Sequence, residues 1–257
     1  MYFDTHAHYD DGKFTEDREI VLRSLASKNV GRVINPGCDI GSTAFARALS
    51  HEYDFLYYAA GIHPEELDGI PDDYADQLSG LADDGKCVAI GEIGLDYYWD
   101  SSHKEQQKNI FAAQLHLAQD LGLPVIIHDR DAHGDCLEMV RGYVTSGSNR
   151  PGVFHCFSGS AEMAEELLKR GWYLGFDGPV TYKNARRTLE VLEITPLDRI
   201  LIETDSPYMP PVPKRGERND SGNLFYIAEK IAEIKKETHE KIADISFQNA
   251  CSLFKGS

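Results

Sequence analysis

Short apolar runs alternate with longer amphipathic stretches along the chain. The strand-like runs lie at 2–5, 31–35, 54–60, 87–91, 124–127, 152–154, 172–176 and 199–203. They are rich in Val, Ile, Leu, Phe and Tyr, and most are bounded by turn-forming residues, as strands are. Between them apolar positions recur at helical spacing. In 103–121, Ile110, Leu115, Leu117, Ala118 and Leu121 stand among polar residues. Ser102 and Glu105 make a capping-box pattern at its start, and Gly122 supplies a C-terminal cap. Lys169-Arg170-Gly171 ends another helix, with cations at the negative end of the helix dipole.

Alternating strands and helices imply parallel strands joined by right-handed crossovers. Eight such units predict an α/β fold, a (β/α)8 barrel in which residues 1–257 form a single domain. The alternative is an open, doubly wound sheet. The placement of polar residues favours the barrel. His6 and His8 follow the first run, His63 the third, Glu92 the fourth, His128 the fifth, His155 the sixth and Asp205 the eighth. Barrel active sites sit at the C-terminal ends of strands, and only a closed barrel brings first and last strands together.

Imidazole is the commonest metal ligand among side chains. Four imidazoles and two carboxylates exceed one tetrahedral site with an open position. They fit two metals. His6, His8 and Asp205 are expected to hold the first, and His128 and His155 the second. Glu92, across the barrel from strand 1 and beside strand 5, is expected to bridge them. Imidazole suits zinc or manganese better than magnesium, which prefers oxygen ligands. His51, His103, His116, His133 and His239 fall on helices or loops and read as surface residues.

Composition narrows the picture. Apolar residues make up 42% of the 257, and no stretch has the roughly 18 apolar residues of a membrane span. The first residues show no secretory signal. Five scattered cysteines, without a C-x-x-C pair, predict reduced thiols in a cytoplasmic protein. Cys156, beside His155, reads as a small core residue. The formal charge of −16 excludes a broad basic surface for sequence-independent nucleic-acid binding. A polyanionic substrate held locally by divalent ions remains compatible with it.

Six ordered motifs resemble the TatD family of metal-dependent deoxyribonucleases, which belongs to the amidohydrolase-like barrels. They are Asp4-Thr5-His6-Ala7-His8, Gly61-Ile62-His63-Pro64, Gly91-Glu92-Ile93-Gly94-Leu95-Asp96, His128-Asp129-Arg130-Asp131, His155-Cys156-Phe157-Ser158-Gly159 and Glu203-Thr204-Asp205-Ser206-Pro207. Thr181-Tyr182-Lys183-Asn184 adds a further match after strand 7. The resemblance implies a binuclear centre of Mg²⁺, Mn²⁺ or Zn²⁺ and hydrolysis of phosphodiester bonds, usually as a 3′-to-5′ exodeoxyribonuclease. Asn219-Asp220-Ser221-Gly222 departs from the family's usual Asn-Glu-Pro.

Residue types suggest further roles. Asp205 is expected to accept the proton of the attacking water, and Glu92 and His63 to complete the catalytic set. His63 reads as a phosphate contact rather than a ligand. Arg130 stands between Asp129 and Asp131, so substrate contact and an internal salt bridge are both open. Lys183, Lys214, Arg215 and Arg218 are the basic residues expected on the active face, either to position substrate phosphates or to stand as solvated loop charges. Tyr97, in Asp96-Tyr97-Tyr98-Trp99, is a candidate for base stacking or for lid packing. Met209-Pro210-Pro211-Val212-Pro213 is a stiff extended segment that reads as pocket wall. The expected partner is DNA or a short oligonucleotide, with no membrane and no obligate protein. Rival readings are an amidohydrolase or lactonase of small molecules, an aminoacyl-tRNA ester hydrolase, and a non-catalytic metal-binding protein. The first is disfavoured because Glu92 stands where many binuclear amidohydrolases have a modified lysine.

Overall fold

The computed structural model describes residues 1–99, 102–143 and 151–254. Eight parallel strands form one sheet in sequence order: β1 (Tyr2–Asp4), β2 (Val30–Pro36), β3 (Leu56–Ala60), β4 (Cys87–Asp96), β5 (Val125–Arg130), β6 (Gly152–Phe154), β7 (Tyr173–Phe176) and β8 (Ile200–Ile202). The circle closes where β8 returns to β1. Thr5 N donates to Ile202 O, Asp205 N to His6 O and His8 N to Ser206 O, and Ala7 bridges Ser206 in parallel. This is the expected (β/α)8 barrel.

Helices α1 (Arg18–Ser24), α2 (Ile40–Glu52), α3 (Tyr74–Ala82), α4 (Lys104–Leu121), α5 (His133–Arg141), α6 (Ala161–Lys169), α7 (Arg186–Ile194) and α8 (Leu224–Lys235) surround the strands, and α9 (His239–Leu253) follows. Their ends obey local chemistry. Asp39 and Ser42 make a reciprocal capping box on α2, and Ser160 and Thr238 cap α6 and α9. Gly122 ends α4 in the left-handed region, as expected. The N-cap of α4 is His103, one residue after the Ser102 expected there.

Alternate residues on each strand divide the core in two. Val33, Tyr58, Val125, Ile127, Leu174 and Ile202 pack outward against the helices. Phe3, Ile34, Ala59, Ala89, Ile126, Val153 and Leu201 fill the barrel interior, where Leu253 and Phe254 at the end of α9 join them. Each Val, Leu, Ile or Phe among them, fully buried, contributes roughly 1.5–3 kcal/mol. This apolar floor fixes the strand ends opposite, which carry the chemistry.

Candidate metal centre

Two strands run further than their apolar composition suggests. β4 extends to Asp96 and β5 to Arg130. Glu92 therefore lies within β4 rather than beyond it, at a register shift between Ile90 and Ile93. His128 and His155 lie two residues beyond the interior positions Ile126 and Val153, so they face the same way at the mouth. Glu203 follows Leu201 by the same step. A Cβ on Gly175 of the neighbouring β7 would meet the Glu203 carboxylate at 2.2 Å, so only glycine leaves it room.

His6 and His8 are placed by loop hydrogen bonds rather than by a regular strand. Asp4, fully buried, accepts from Thr204 N at 2.9 Å, Thr204 Oγ1 at 2.6 Å and His6 N at 3.3 Å. Burial nevertheless pushes its carboxyl up to about 7. Ala7 N donates to Ile34 O, so the 5–8 segment is stitched between β2 and the end of β8. The Nε2 atoms of His6 and His8 end 3.0 Å apart.

Glu92 is the hub. Its Oε2 lies 3.2 Å from His6 Nε2 and 3.7 Å from His8 Nε2. Its Oε1 lies 2.8 Å from His128 Nδ1 and 3.6 Å from both His155 Nε2 and His63 Nε2. Asp205 Oδ1 is 3.5 Å from His8 Nε2 and 3.8 Å from His6 Nε2. Donor atoms within 4.8 Å of one another form the groups His6–His8–Asp205, His6–Glu92–His155, His63–Glu92–His128 and His8–Cys38–Glu92. These nitrogen and carboxylate donors, almost fully buried, fit divalent ions.

Burial alone would raise the Glu92 carboxyl, but His6, His63, His155 and the His128 hydrogen bond together hold it well below its usual range. Asp205 is lowered in the same way, burial being outweighed chiefly by His8. Burial opposes charge on the imidazoles too. The carboxylates Asp96 and Glu92 still lift His128 to about 9, and Glu203 and Glu92 lift His155 to about 10.

Sequence reasoning missed part of this shell. Asp96 Oδ2 is 3.0 Å from His128 Nε2, and Glu203 Oε1 is 3.2 Å from His155 Nδ1. Cys38, at the end of β2, sits 3.9 Å from His8 Nδ1. Asp177, at the end of β7, is buried with Oδ2 unpartnered, and burial pushes its carboxyl up to about 8. Strand periodicity was the available signal. Asp96 falls four residues after Glu92, and Glu203 two before Asp205.

The basic and aromatic candidates scatter. The Arg130 guanidinium stacks 4.1 Å from the Tyr98 ring centroid and 5.4 Å from that of Trp99, and Asp129 pairs with His133 instead. Tyr98 and Trp99 are exposed, whereas Tyr97 turns to Asp135, to which its hydroxyl donates at 2.7 Å. Arg215 lies over Tyr182, and Lys183 is exposed on the loop after β7. Lys214 pairs with Glu217 at 3.1 Å and lines a side groove with Met1, Tyr2 and His239. Arg218 binds Asp17 through both terminal nitrogens. In the unusual 219–222 loop, Asn219 donates to Thr204 O and Tyr208 O, and Asp220 pairs with Lys28. His51, His103 and His116 are exposed, while His133 and His239 are half-buried.

The family model of TatD related DNase matches residues 3–255. The chain belongs to the TatD family. It is 43% identical over 256 residues to YabD of Bacillus subtilis, an uncharacterized metal-dependent hydrolase, with 99% of each chain covered. It is 33% identical over 260 residues to the 3′-5′ ssDNA/RNA exonuclease TatD of Cronobacter sakazakii, covering 98% of this chain and 97% of that one. The crystal structure of YjjV, a TatD homolog from Escherichia coli, superposes with a TM-score of 0.90 at 34% identity, covering 98% and 97%. This TatD protein is thus a metal-dependent hydrolase. Among its described residues no helix is long and apolar enough to cross a membrane.

Proposed function

We propose that this chain is a binuclear phosphodiesterase that removes nucleotides from the 3′ end of single-stranded DNA. The observation that carries the reading is the division of Glu92. One carboxylate oxygen faces His6 and His8, and the other faces His128 and His155. That arrangement supports His6, His8 and Asp205 as holders of one ion, His128 and His155 as holders of another, and Glu92 as a ligand to both. Two divalent ions there, Mn²⁺, Zn²⁺ or Mg²⁺, would supply charge for the phosphoryl oxygens and acidify a water.

The remaining steps belong to side chains. Asp205, kept ionised by its imidazole neighbours, accepts the proton of the attacking water. His63 Nδ1 accepts from Glu65 N at 3.2 Å, so the neutral ring carries its proton on Nε2. That tautomer donates to a phosphate oxygen and cannot ligate through Nε2. Exposed Tyr98 and Trp99, with Arg130 stacked on them, form a platform for unpaired bases. Lys183 and Arg215 meet the backbone on the opposite rim. With a net charge of −16 the protein repels long nucleic acid, which favours action on ends and short strands. Five free cysteines support a reducing, cytoplasmic setting.

The test is hydrolysis of 3′- and 5′-labelled single-stranded DNA and RNA with Mg²⁺, Mn²⁺ or Zn²⁺, with EDTA, and with the Glu92→Ala protein. Metal-dependent laddering from the 3′ end, absent with EDTA and in the variant, is the expected result. No cleavage by protein holding two ions would transfer the reading to a small ester or amide substrate.

A further inference from the structure

An imidazole that binds an ion through one nitrogen carries its proton on the other, and that N–H needs an acceptor to fix the ring. The four candidate imidazoles differ in what stands behind them. His155 turns Nδ1 to Glu203 Oε1 at 3.2 Å, and His128 turns Nε2 to Asp96 Oδ2 at 3.0 Å. His8 turns Nδ1 to Cys38 Sγ at 3.9 Å. His6 Nδ1 is buried without a hydrogen-bond partner. Carboxylates therefore back one half of the centre. Among the described residues a thiol, a weak acceptor, is all that backs the other.

We propose that Cys38 is a positioning residue of the metal centre, and that its weak support makes the His6–His8–Asp205 position the looser and more exchangeable one. The inference rests on the binuclear reading above. The sulfur accepts the His8 Nδ1 proton and holds Nε2 toward Asp205 and Glu92, 3.5 and 3.7 Å away.

The turn between β2 and α2 locks the thiol in place. Cys38 N donates to Ser42 Oγ at 2.8 Å, and Cys38 O accepts from His63 N at 2.7 Å. A Cβ on the preceding Gly37 would meet Thr43 Oγ1 at 2.0 Å, so the turn has no room to shift. Sγ also lies within 4.8 Å of His8 and Glu92 donors, which makes direct ligation the competing arrangement. It is disfavoured because Sγ approaches the nitrogen of His8 that faces away from the carboxylates.

The test uses full-length protein stripped of ions and titrated calorimetrically with Zn²⁺ and with Mn²⁺, as wild type, Cys38→Ala and Cys38→Ser. Wild type should take up two ions with unequal affinity. Cys38→Ala should weaken the looser position about 10- to 100-fold, the usual cost of losing such a partner, and leave the tighter one unchanged. Cys38→Ser, which keeps an acceptor, should recover much of the loss. The ion-free proteins should melt alike, which a purely structural role would not give. Two ions bound by wild type, with neither affinity altered in Cys38→Ala, would overturn the role of Cys38 and leave the binuclear reading standing. Uptake of fewer than two ions by wild type would overturn both. A sulfur-to-cobalt charge-transfer band in the Co²⁺-loaded wild type would also overturn the proposal, because Sγ would then be a ligand.

Discussion

The floor and the mouth of the barrel are built from the same strands and obey opposite rules. At the floor, Phe3, Ile34, Ile126, Val153 and Leu201 close against Leu253 and Phe254 with no polar atom to satisfy. At the mouth, two residues further along β5, β6 and β8, stand His128, His155 and Glu203. Two of the buried polar atoms without a partner, His6 Nδ1 and Asp177 Oδ2, are found there. The lesson is that one strand can carry stability at one end and chemistry at the other, because alternation returns the same face every second residue. The apolar end supplies the free energy that offsets gathering like charges and orphaned groups at the polar end.

The contrast can be broken by substitution. The largest expected effect is at the hub. Glu92→Ala should drop hydrolysis to background while circular dichroism remains native, and residual turnover near wild type would remove Glu92 from the mechanism. Next, Leu201→Ala at the floor should cost about 2–5 kcal/mol in denaturant unfolding. The folded variant should still bind ions as wild type does. If its ion uptake fell in step with its stability, floor and mouth would not be separable.

A pH scan sharpens the difference. The folded pKa values of His128 and His155, about 9 and about 10, lie above the ordinary imidazole value. In ion-free protein their contribution to stability is fully present below the unfolded pKa, near 6.5, and is lost as pH rises through 9 to 10. The melting temperature of chelated protein should therefore fall across that window. Ion affinity should rise over the same range, because a ligating imidazole must give up its proton. Parallel melting curves with and without chelator would contradict both statements. The smallest effect is expected at the rim. Trp99→Ala should weaken oligonucleotide binding by about 1–3 kcal/mol with ion uptake unchanged, and an unaltered KM would dismiss the stacking platform.

The barrel was legible because its strands are apolar runs at regular intervals, and the polar residues ending them drew attention to the mouth. What lay behind those residues was less so. Asp96 stands at the end of a strand longer than its apolar run indicates, and Glu203, at the end of the last run, carries no mark in the sequence that it faces His155. Cys38 looked like one of five unrelated thiols, since only the register of β2 against β1 and β3 brings it to His8. Loop cations were harder still. Order along the chain places Lys214, Arg215 and Arg218 together after β8, yet one pairs with Glu217, one lies over Tyr182 and one binds Asp17. The direction of a long side chain on a loop is set by whichever carboxylate or ring happens to be near, and adjacency in sequence says nothing of that.

The closure of the barrel also sets a timetable for synthesis. The segment from Glu92 to His155 holds the proposed ligands of one half of the centre, Glu92, His128 and His155, but the Glu203 that backs His155 arrives only with β8. The other half joins His6 and His8 to Asp205, which are brought together only when β8 docks beside β1. A growing chain therefore presents its two imidazoles first and waits through seven strands for the carboxylate that completes them. A chain released before β8 is made lacks both Asp205 and Glu203, so neither half of the proposed centre is complete in it.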